Sequence, residues 1–323
     1  MKDVAREAGV ALGTVSKVIN HKPVGEEYEK KVLAAIKKLN YRVNSYAQGL
    51  KASRTHTAAV LIPNTTHPYF GHLANCLNSS LSARGYRCLM FCTDYDPSLE
   101  TEFVNLALQH KVDGIIGLTY NTNLVVPDEV SFVSIDRIIN THTPCVSSDN
   151  FAGGQLAAEK LHALGCKKVL FIRMWSAING ETYKRLSGFE YGCRSYNLPC
   201  ESHTLIDTHV INETKAVLAK YLEPLFKGQC AYDGIFCGTD LLALLVRDIL
   251  VSFGLSVPGD VEIIGFDGIK DFATEEYVCS TIVQPVEDIA EAAVDLLLRD
   301  NLDTTPPLLC LPVTFGEGKT TSS

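Results

Sequence analysis

The chain has 323 residues, 46% of them hydrophobic, and a formal net charge of −8. This length and composition predict two to three globular units with buried cores. A membrane-spanning protein is excluded because no run of eighteen apolar residues occurs, and the polar start of the chain, with Asp3 and Glu7, argues against a signal segment. We therefore expect a cytoplasmic protein without membrane contact.

The charge is distributed unevenly along the chain. Residues 1–54 contain eleven Lys and Arg against five Asp and Glu, a net charge of +6, which leaves −14 for the remainder. A basic head on an acidic body is typical of a DNA-binding module joined to a ligand-binding body. The eleven cysteines are scattered from Cys76 to Cys310 without any C-x-x-C spacing, which favours reduced thiols over disulfides or a metal site.

Residues 3–20 predict two short helices separated by a glycine. Apolar side chains recur along one inner face, at Val4, Ala5, Ala8, Val10, Val15, Val18 and Ile19. Gly9 can adopt the positive φ of a sharp corner, and the polar Thr14, Ser16 and Lys17 are expected to point outward. A third helix from about Val24 to Leu39 should close a small core around Val32, Ala35, Ile36 and Leu39. This pattern is typical of a helix-turn-helix that reads the DNA major groove.

Strands and helices alternate from Thr57 onward. The first half has predicted strands at 58–63, 88–92, 114–118 and 132–135, with helices at 70–84 and 99–110. A similar half follows Asp149, with helices at 151–164, 181–196, 213–226 and 240–252 and strands at 168–172, 203–206, 234–237 and 261–266. Such alternation predicts an α/β fold with two parallel sheets, whose facing strand ends form a ligand-binding crevice.

Four common catalytic and cofactor motifs are absent from the sequence. The patterns G-x-G-x-x-G, G-x-x-x-x-G-K-[ST], H-E-x-x-H and G-x-S-x-G are all missing from it. We therefore expect no enzyme activity, no catalytic residues, no cofactor and no metal.

Four segments together resemble the LacI family of bacterial transcription regulators over essentially the full length. They are Thr14–Asn20, Leu39–Asn44, Val112–Ile116 and Ile264–Asp267, in the family's order and spacing. The resemblance implies a helix-turn-helix head at 1–44, a hinge helix and linker at 45–56, and an effector-binding and dimerisation body of the periplasmic-binding-protein type at 57–323. In the body, lobe 1 is expected at about 57–149 and 282–315, and lobe 2 at about 150–281.

The same resemblance implies which residues contact DNA. Leu12, Gly13 and Lys17 correspond to positions that read base edges, and Thr14, Ser16 and Asn20 are expected to hold phosphates. In the hinge, the corresponding residues are Asn44, Ala47 and Leu50, with Leu50 wedged into the minor groove. Two alternatives stay open: Leu12 packs against the third helix, or Leu50 is only a linker residue. Ala11 stands where the family usually has Ser, so the recognition helix should lack a side-chain cap.

Seven positions correspond to residues that line the effector crevice in the family, and Trp175 is expected near the same cleft. Together they are Tyr69, Phe70, Asp136, Trp175, Arg185, Thr239, Asp267 and Gln284. Carboxylates and an arginine fork suit a polyhydroxyl ligand, and aromatic rings can stack on a sugar. Asp240 could equally cap the helix that it starts. Arg173 and Trp175 depart from the small glycines usual in the family, which favours either a charged or aromatic ligand or a patch on the lobe surface.

The expected protein is a homodimeric repressor that binds a pseudo-palindromic double-stranded operator and responds to a small-molecule effector, with a sugar as the leading class. One alternative is control by a phosphorylated partner protein or a nucleobase corepressor. A sugar-binding protein without a regulatory role is disfavoured by the DNA-binding head, and an enzyme is the weakest alternative.

Overall fold

The computed structural model describes residues 1–20, 22–41, 54–127, 129–140, 142–175, 180–206, 210–228, 230–299 and 308–322. The chain divides into two compact units, Met1–Thr55 and His56–Ser323, which are described separately below. In the described part of the chain, no helix combines the length and the apolar character needed to cross a membrane.

The first unit is a three-helix head with helices α1 (Lys2–Ala8), α2 (Leu12–Ile19) and α3 (Glu26–Lys38). Gly9 ends α1 at φ 65°, which confirms the predicted corner. The core consists of one side chain from α1 and two each from α2 and α3, namely Val4, Val15, Val18, Val32 and Ala35. The expectation for Leu39 was wrong: it follows the last turn of α3 and is 40% exposed, because the helix ends before that position turns inward.

Helix α2 begins without a side-chain cap. Ala11 is its N-cap residue, with extended φ and ψ of −67° and 149°, and no side chain accepts a hydrogen bond there. We expect Ala11→Ser to stabilise the head by about 0.5–1 kcal/mol, because a hydroxyl oxygen can accept from an unpaired amide of the first turn. Denaturant unfolding of the head measures this, and an unchanged midpoint would contradict the assigned helix start.

The second unit contains two α/β lobes, the first built on a six-stranded parallel sheet. Its strands are β1 (Thr57–Ile62), β2 (Arg87–Cys92), β3 (Gly114–Gly117), β4 (Ser131–Ile135), β5 (Cys145–Ser148) and β11 (Leu308–Leu311), in the order β11-β5-β4-β3-β1-β2. Helices α4 (Pro68–Ala83) and α10 (Val286–Leu297) pack on one face, and α5 (Pro97–Gln109) packs on the other. Helical layers on both faces explain why β1 is buried along its whole length.

The second lobe repeats this plan. Its strands are β6 (Val169–Met174), β7 (Cys200–Leu205), β8 (Gly234–Cys237), β9 (Glu262–Asp267), β10 (Ser280–Val283) and β12 (Thr314–Gly316), in the order β12-β10-β9-β8-β6-β7. All neighbouring strands are parallel except β12, which runs antiparallel to β10. Helices α6 (Asn150–Ala163) and α7 (Lys184–Ser195) cover one face, and α8 (Ile211–Phe226) and α9 (Asp240–Ser252) cover the other.

Two details differ from the sequence expectation. Residues 282–283 and 314–315 were expected in lobe 1, yet β10 pairs with β9 and β12 pairs with β10, so both strands belong to lobe 2. Residues 308–316 accordingly contribute one strand to each sheet, β11 to the first and β12 to the second. Strand β5 was not predicted at all. The chain crosses between the lobes after β5, after β10 and after β11, because each of these strands continues into an element of the other lobe.

Candidate functional site

A cavity of about 400 Å³ lies at the carboxyl ends of strands from both lobes. All eight residues expected at the effector crevice line it: Tyr69, Phe70, Asp136, Trp175, Arg185, Thr239, Asp267 and Gln284. The structure thus brings together side chains that are up to 215 positions apart in sequence, counted from Tyr69 to Gln284. The volume suits a small ligand of the size that protein pockets commonly bind.

Arg185 forms the base of the cavity. Its Nε donates to Asn150 Oδ1 at 2.7 Å and its Nη1 donates to the Gly238 carbonyl at 2.5 Å. The guanidinium carbon lies 3.6 Å from the centre of the Phe266 ring. Burial lowers the pKa of Arg185, and the nearby Asp267 opposes that shift. These contacts hold the arginine fork in a single orientation towards the cavity.

Asp267 ends β9 beside this arginine. Its Oδ1 accepts from Gln284 Nε2 at 2.8 Å and lies 4.0 Å from Arg185 Nη1, whereas its buried Oδ2 has no hydrogen-bond partner within the described residues. Burial raises the pKa of the Asp267 carboxyl well above its usual range, and Arg185 only partly offsets this. A buried acceptor without a partner is costly, so Oδ2 is the oxygen most in need of a donor from a bound molecule.

Gln284 connects the two lobes at the floor of the cavity. Its Oε1 accepts from Ser148 Oγ on lobe 1 at 2.8 Å, while its amide group donates to Asp267 on lobe 2. Asn150 makes a parallel connection, because its Nδ2 donates to Ser147 Oγ at 3.0 Å and its Oδ1 accepts from Arg185. Ligand contacts with Asp267 or Arg185 therefore act on groups that bridge both lobes.

Asp136 supplies a second carboxylate, from lobe 1. Its Oδ1 accepts from Ser147 Oγ at 2.7 Å, and Tyr69 Oη lies 3.5 Å from its Oδ2. Both acidic residues of the cavity have positive φ, 56° at Asp136 and 141° at Asp267. Non-glycine residues rarely adopt such conformations, and backbone strain of this kind concentrates at functional sites.

Thr239 and Asp240, which follow Gly238 after the end of β8, have roles that differ from those expected from the sequence. Thr239 lines the cavity, but its hydroxyl caps α9 by accepting from the Leu242 amide at 3.2 Å. Asp240, considered as a cap, instead accepts from the Ile269 amide at 2.7 Å and from Thr281 Oγ1 at 2.6 Å. Burial raises its pKa to about 6. Asp240 is thus a structural carboxyl that ties β10 and the loop after β9 to α9.

Aromatic residues form much of the cavity wall. Phe70 lies against His67, with ring centres 4.6 Å apart, and burial lowers the pKa of His67 to about 4, so this imidazole is neutral near pH 7. Trp175 is 53% exposed. The sequence reading missed several wall residues, namely Tyr95, Tyr120 and Tyr183. Tyr120 follows β3, so applying the strand-end rule to every strand of lobe 1 would have found it.

The crossing of α6 and α7 positions Arg185 against Asn150. A Cβ atom at Gly188 would lie 2.0 Å from the Phe151 carbonyl oxygen, and one at Gly154 would lie 2.2 Å from the Arg185 carbonyl oxygen. The backbones of the two helices therefore touch, and only glycine fits at these two places. Asn150 begins α6 and Arg185 stands in the first turn of α7, so the crossing fixes their contact.

We expect Gly188→Ala to destabilise the body by at least about 1–3 kcal/mol, because the added methyl group must push two helix backbones apart. Thermal or denaturant unfolding measures this effect. Ser187→Ala is the matched control, since Ser187 is exposed on the same helix. Equal stability of the two variants would show that the crossing is not tight.

The structure describes some of the residues that are expected to contact DNA, namely those on and next to α2. Gly13 and Lys17 on α2 and Asn20 just after it are exposed, Thr14 and Ser16 are half-buried, and Leu12 is 45% exposed, which argues against its packing on α3. Asn20 Nδ2 donates to the Ser16 carbonyl at 2.6 Å. The hinge residues Asn44, Ala47 and Leu50 lie outside the described residues.

One group of described side chains has donor atoms suited to a metal ion. His72, Cys76 and Glu287 hold their donor atoms within 4.8 Å of one another, and His72 Nε2 is 3.1 Å from Glu287 Oε1. None of the three lines the cavity. No metal was expected from the sequence, and the cavity itself offers arginines and carboxylates rather than a tetrahedral set of nitrogen and sulfur donors.

Comparison with known proteins places the chain in a family. Residues 1–44 match "Bacterial regulatory proteins, lacI family", and residues 158–321 match a periplasmic binding protein-like domain. A sucrose operon repressor of Pediococcus pentosaceus is 32% identical over 99% of this chain and 98% of its own length. A ribose operon repressor of Bacillus subtilis is 31% identical over 99% of this chain and 98% of its own length.

Solved structures agree with this placement. A periplasmic binding protein/LacI transcriptional regulator from Alkaliphilus metalliredigens, complexed with D-xylulofuranose, is 27% identical, with a TM-score of 0.69 over 83% of this chain and 100% of that chain. The lac repressor dimer bound to operator has a TM-score of 0.82 at 20% identity, over 99% of this chain and 98% of that chain, and supports the fold alone. The predicted two-lobed α/β fold with a helical head is confirmed, and the chain belongs to the LacI family of bacterial regulatory proteins.

Proposed function

We propose that this protein is a transcriptional repressor that binds a pseudo-palindromic double-stranded operator as a homodimer and is controlled by a sugar. It acts in the cytoplasm and binds its effector without transforming it. The observation that carries the proposal is Asp267 Oδ2, a buried oxygen without a hydrogen-bond partner among the described residues, which lies beside the buried Arg185 in a chain that also has a helix-turn-helix head.

The cavity chemistry suits a polyhydroxyl ring. Hydroxyl groups can donate to Asp267 Oδ2 and Asp136 Oδ2, and they can accept from the guanidinium of Arg185. Tyr69 and Phe70 present aromatic surface for the apolar face of the ring, with ring centres 5.7 Å apart. Relatives named as sucrose and ribose operon repressors support a sugar as the effector class.

The sugar would act by changing how the two lobes are held together. Asp136 belongs to lobe 1, Arg185 and Asp267 belong to lobe 2, and Gln284 bridges Ser148 to Asp267. A ligand that binds one arrangement of the lobes better shifts the population towards it. In this proposal, that shift determines whether the hinge segment at 45–56 can pair with its copy on the operator.

In the same proposal, each segment of the chain has its own role. The head of 1–44 would read DNA with Leu12, Gly13 and Lys17 at base edges and Thr14, Ser16 and Asn20 at phosphates, and 57–323 would hold the effector and the dimer contacts. The segment around Asn44, Ala47 and Leu50 would enter the minor groove.

The test is operator binding with and without candidate effectors. An operator selected from random DNA is titrated with the full chain, and sugars, a purine base and a phosphorylated carrier protein are added in separate arms. We expect at least one sugar to change operator affinity and to raise the unfolding temperature of the protein by mass action. Response to the base or the carrier protein alone would favour the corresponding alternative, and failure to select any DNA would refute the regulator.

A further inference from the structure

Two arginines of the cavity are not used by the proposed sugar contacts. Arg137 is 5% exposed, and its Nε is buried without a hydrogen-bond partner within the described residues. Its Nη1 makes only long contacts, 3.2 Å to the Asp136 carbonyl and 3.4 Å to Thr182 Oγ1. The guanidinium carbon is 5.1 Å from the centre of the Tyr120 ring. A nearly buried cation with a spare donor is costly unless something binds it.

Arg173 is held near the same wall from β6. Its Nε donates to Thr204 Oγ1 at 3.1 Å, and its guanidinium carbon lies 3.9 Å from the centre of the Tyr183 ring. Stacking on an aromatic face orients the planar fork and leaves its other donors available. The side chain lines the cavity and is only half-buried, so a ligand can reach it.

Both arginines contact the same short segment. In the 3₁₀ helix Glu181–Tyr183, Thr182 contacts Arg137, and the ring of Tyr183 stacks against the guanidinium of Arg173. A Cβ atom at Gly180 would lie 2.6 Å from the Asp136 carbonyl oxygen and 3.0 Å from Arg137 Nη1, so the glycine lets this segment approach Arg137 closely.

No carboxylate of the described residues forms an ion pair with either arginine. Glu181 belongs to the 3₁₀ segment itself, but its Oε2 lies 2.7 Å from Lys184 Nζ and it does not line the cavity. Asp267 faces Arg185, and Asp136 accepts from Ser147. The lining thus has three arginines against two carboxylates, in a chain whose overall charge is −8.

We propose that the effector is a phosphorylated sugar whose phosphate monoester is held between Arg137 and Arg173. This inference rests on the proposed function, because it adds a charged group to the sugar of the same cavity. A phosphate monoester carries about −1.5 to −2 charge near pH 7 and three acceptor oxygens, which matches two guanidinium forks better than a single carboxylate does. In this proposal the sugar ring contacts Arg185 and Asp267, which are neighbours on the cavity wall, and the phosphate extends towards the 3₁₀ segment.

The test compares ligands that differ only in the charged group. Calorimetry with the full chain measures the affinities of glucose, glucose phosphate and glucuronate, and of ribose and ribose phosphate. We expect a phosphate ester to bind about tenfold to hundredfold more tightly than its parent sugar, as charge-assisted hydrogen bonds imply. Lowering the pH below about 6, where the phosphate gains a proton, should reduce that preference. The parent sugar measured at the same pH is the reference, because protonation of Asp240 and Asp267 acts on both ligands.

Two variants assign the preference to the arginines. Arg173→Gln should reduce the phosphate preference about tenfold without changing neutral-sugar affinity, and its half-exposed position protects folding. Arg137→Lys keeps the buried charge and should also weaken the preference, because an ammonium cannot replace a bidentate fork. Arg194→Gln, on the exposed surface of α7, is the matched control and should preserve the preference.

The outcomes separate this inference from the proposed function. Equal binding of parent sugars and phosphates, tighter binding of glucuronate than of glucose phosphate, or equal loss for both ligands in Arg173→Gln would overturn the phosphate site while leaving a sugar-responsive repressor. Binding of none of the sugars or phosphates in the effector screen would overturn the sugar effector itself.

Discussion

Replacement of Arg185 by alanine is expected to abolish the response to the effector. Arg185 is the cation at the base of the cavity, and its fork is oriented by Asn150, Gly238 and Phe266. Each lost charge-assisted hydrogen bond is worth about 1.5–3 kcal/mol, so affinity should fall at least about a hundredfold where two such bonds are lost. The lone Trp175 lines the same cavity, and its fluorescence reports the binding.

A control must separate lost binding from lost folding, because the change also leaves Asn150 Oδ1 and Asp267 without their cation. Arg185→Lys keeps a buried charge, and we expect it to fold while still binding the effector weakly, since it lacks the planar fork. Asp267→Asn provides a second test, because its side chain keeps one acceptor for Gln284 but removes the charge. An effector that binds the Arg185→Ala protein with full affinity would show that the proposed binding site is misplaced.

Removal of the head is expected to eliminate operator binding and to preserve effector binding. A fragment of residues 57–323 contains the whole cavity and both sheets, and the compact unit His56–Ser323 has its own cores. The removed segment carries the +6 charge, whereas the fragment carries a strongly negative charge that DNA repels. Calorimetry with the effector and mobility shift with the operator measure the two properties, and a fragment that still binds the operator would refute the assignment of the head.

Substitution of the single residue Lys17 tests the same assignment through the salt dependence of operator affinity. The exposed Lys17 stands in the last turn of α2, so Lys17→Gln should weaken operator binding, whereas Lys38 already pairs with Glu7 at 2.6 Å and Lys38→Gln is the matched control. If Lys17 contacts a phosphate, the slope of log affinity against log salt should decrease by about 1, and if it contacts a base edge, the preferred operator sequence should change instead.

Short-range patterns determined much of the fold. Three patterns depend only on residues close in sequence: the corner at Gly9, the apolar face of α1 and α2, and the alternation of strands and helices from Thr57 onward. The corresponding helices and strands form where these patterns predict them. The family resemblance implied Asp136, Asp267, Arg185 and Gln284 alike. The positions of Asp136 and Asp267 also agree with the rule that the carboxyl ends of parallel strands meet at one edge of a sheet, whereas no local pattern predicts Arg185 and Gln284.

The tertiary structure decided what depends on contacts distant in sequence. Strands β10 and β12 belong to lobe 2 because β10 pairs with β9 and β12 pairs with β10. The hydrophobic pattern of a single strand does not encode which strand it pairs with. Two further features arise only when several elements meet. They are the bridge made by Gln284 between the lobes and the contacts of Arg137 and Arg173 with the 3₁₀ helix Glu181–Tyr183. The sequence by itself therefore determined the family, most of the elements and, through the family resemblance, residues that line the cavity. Long-range packing decided which polar atoms of these residues are already bonded and which remain available to a ligand.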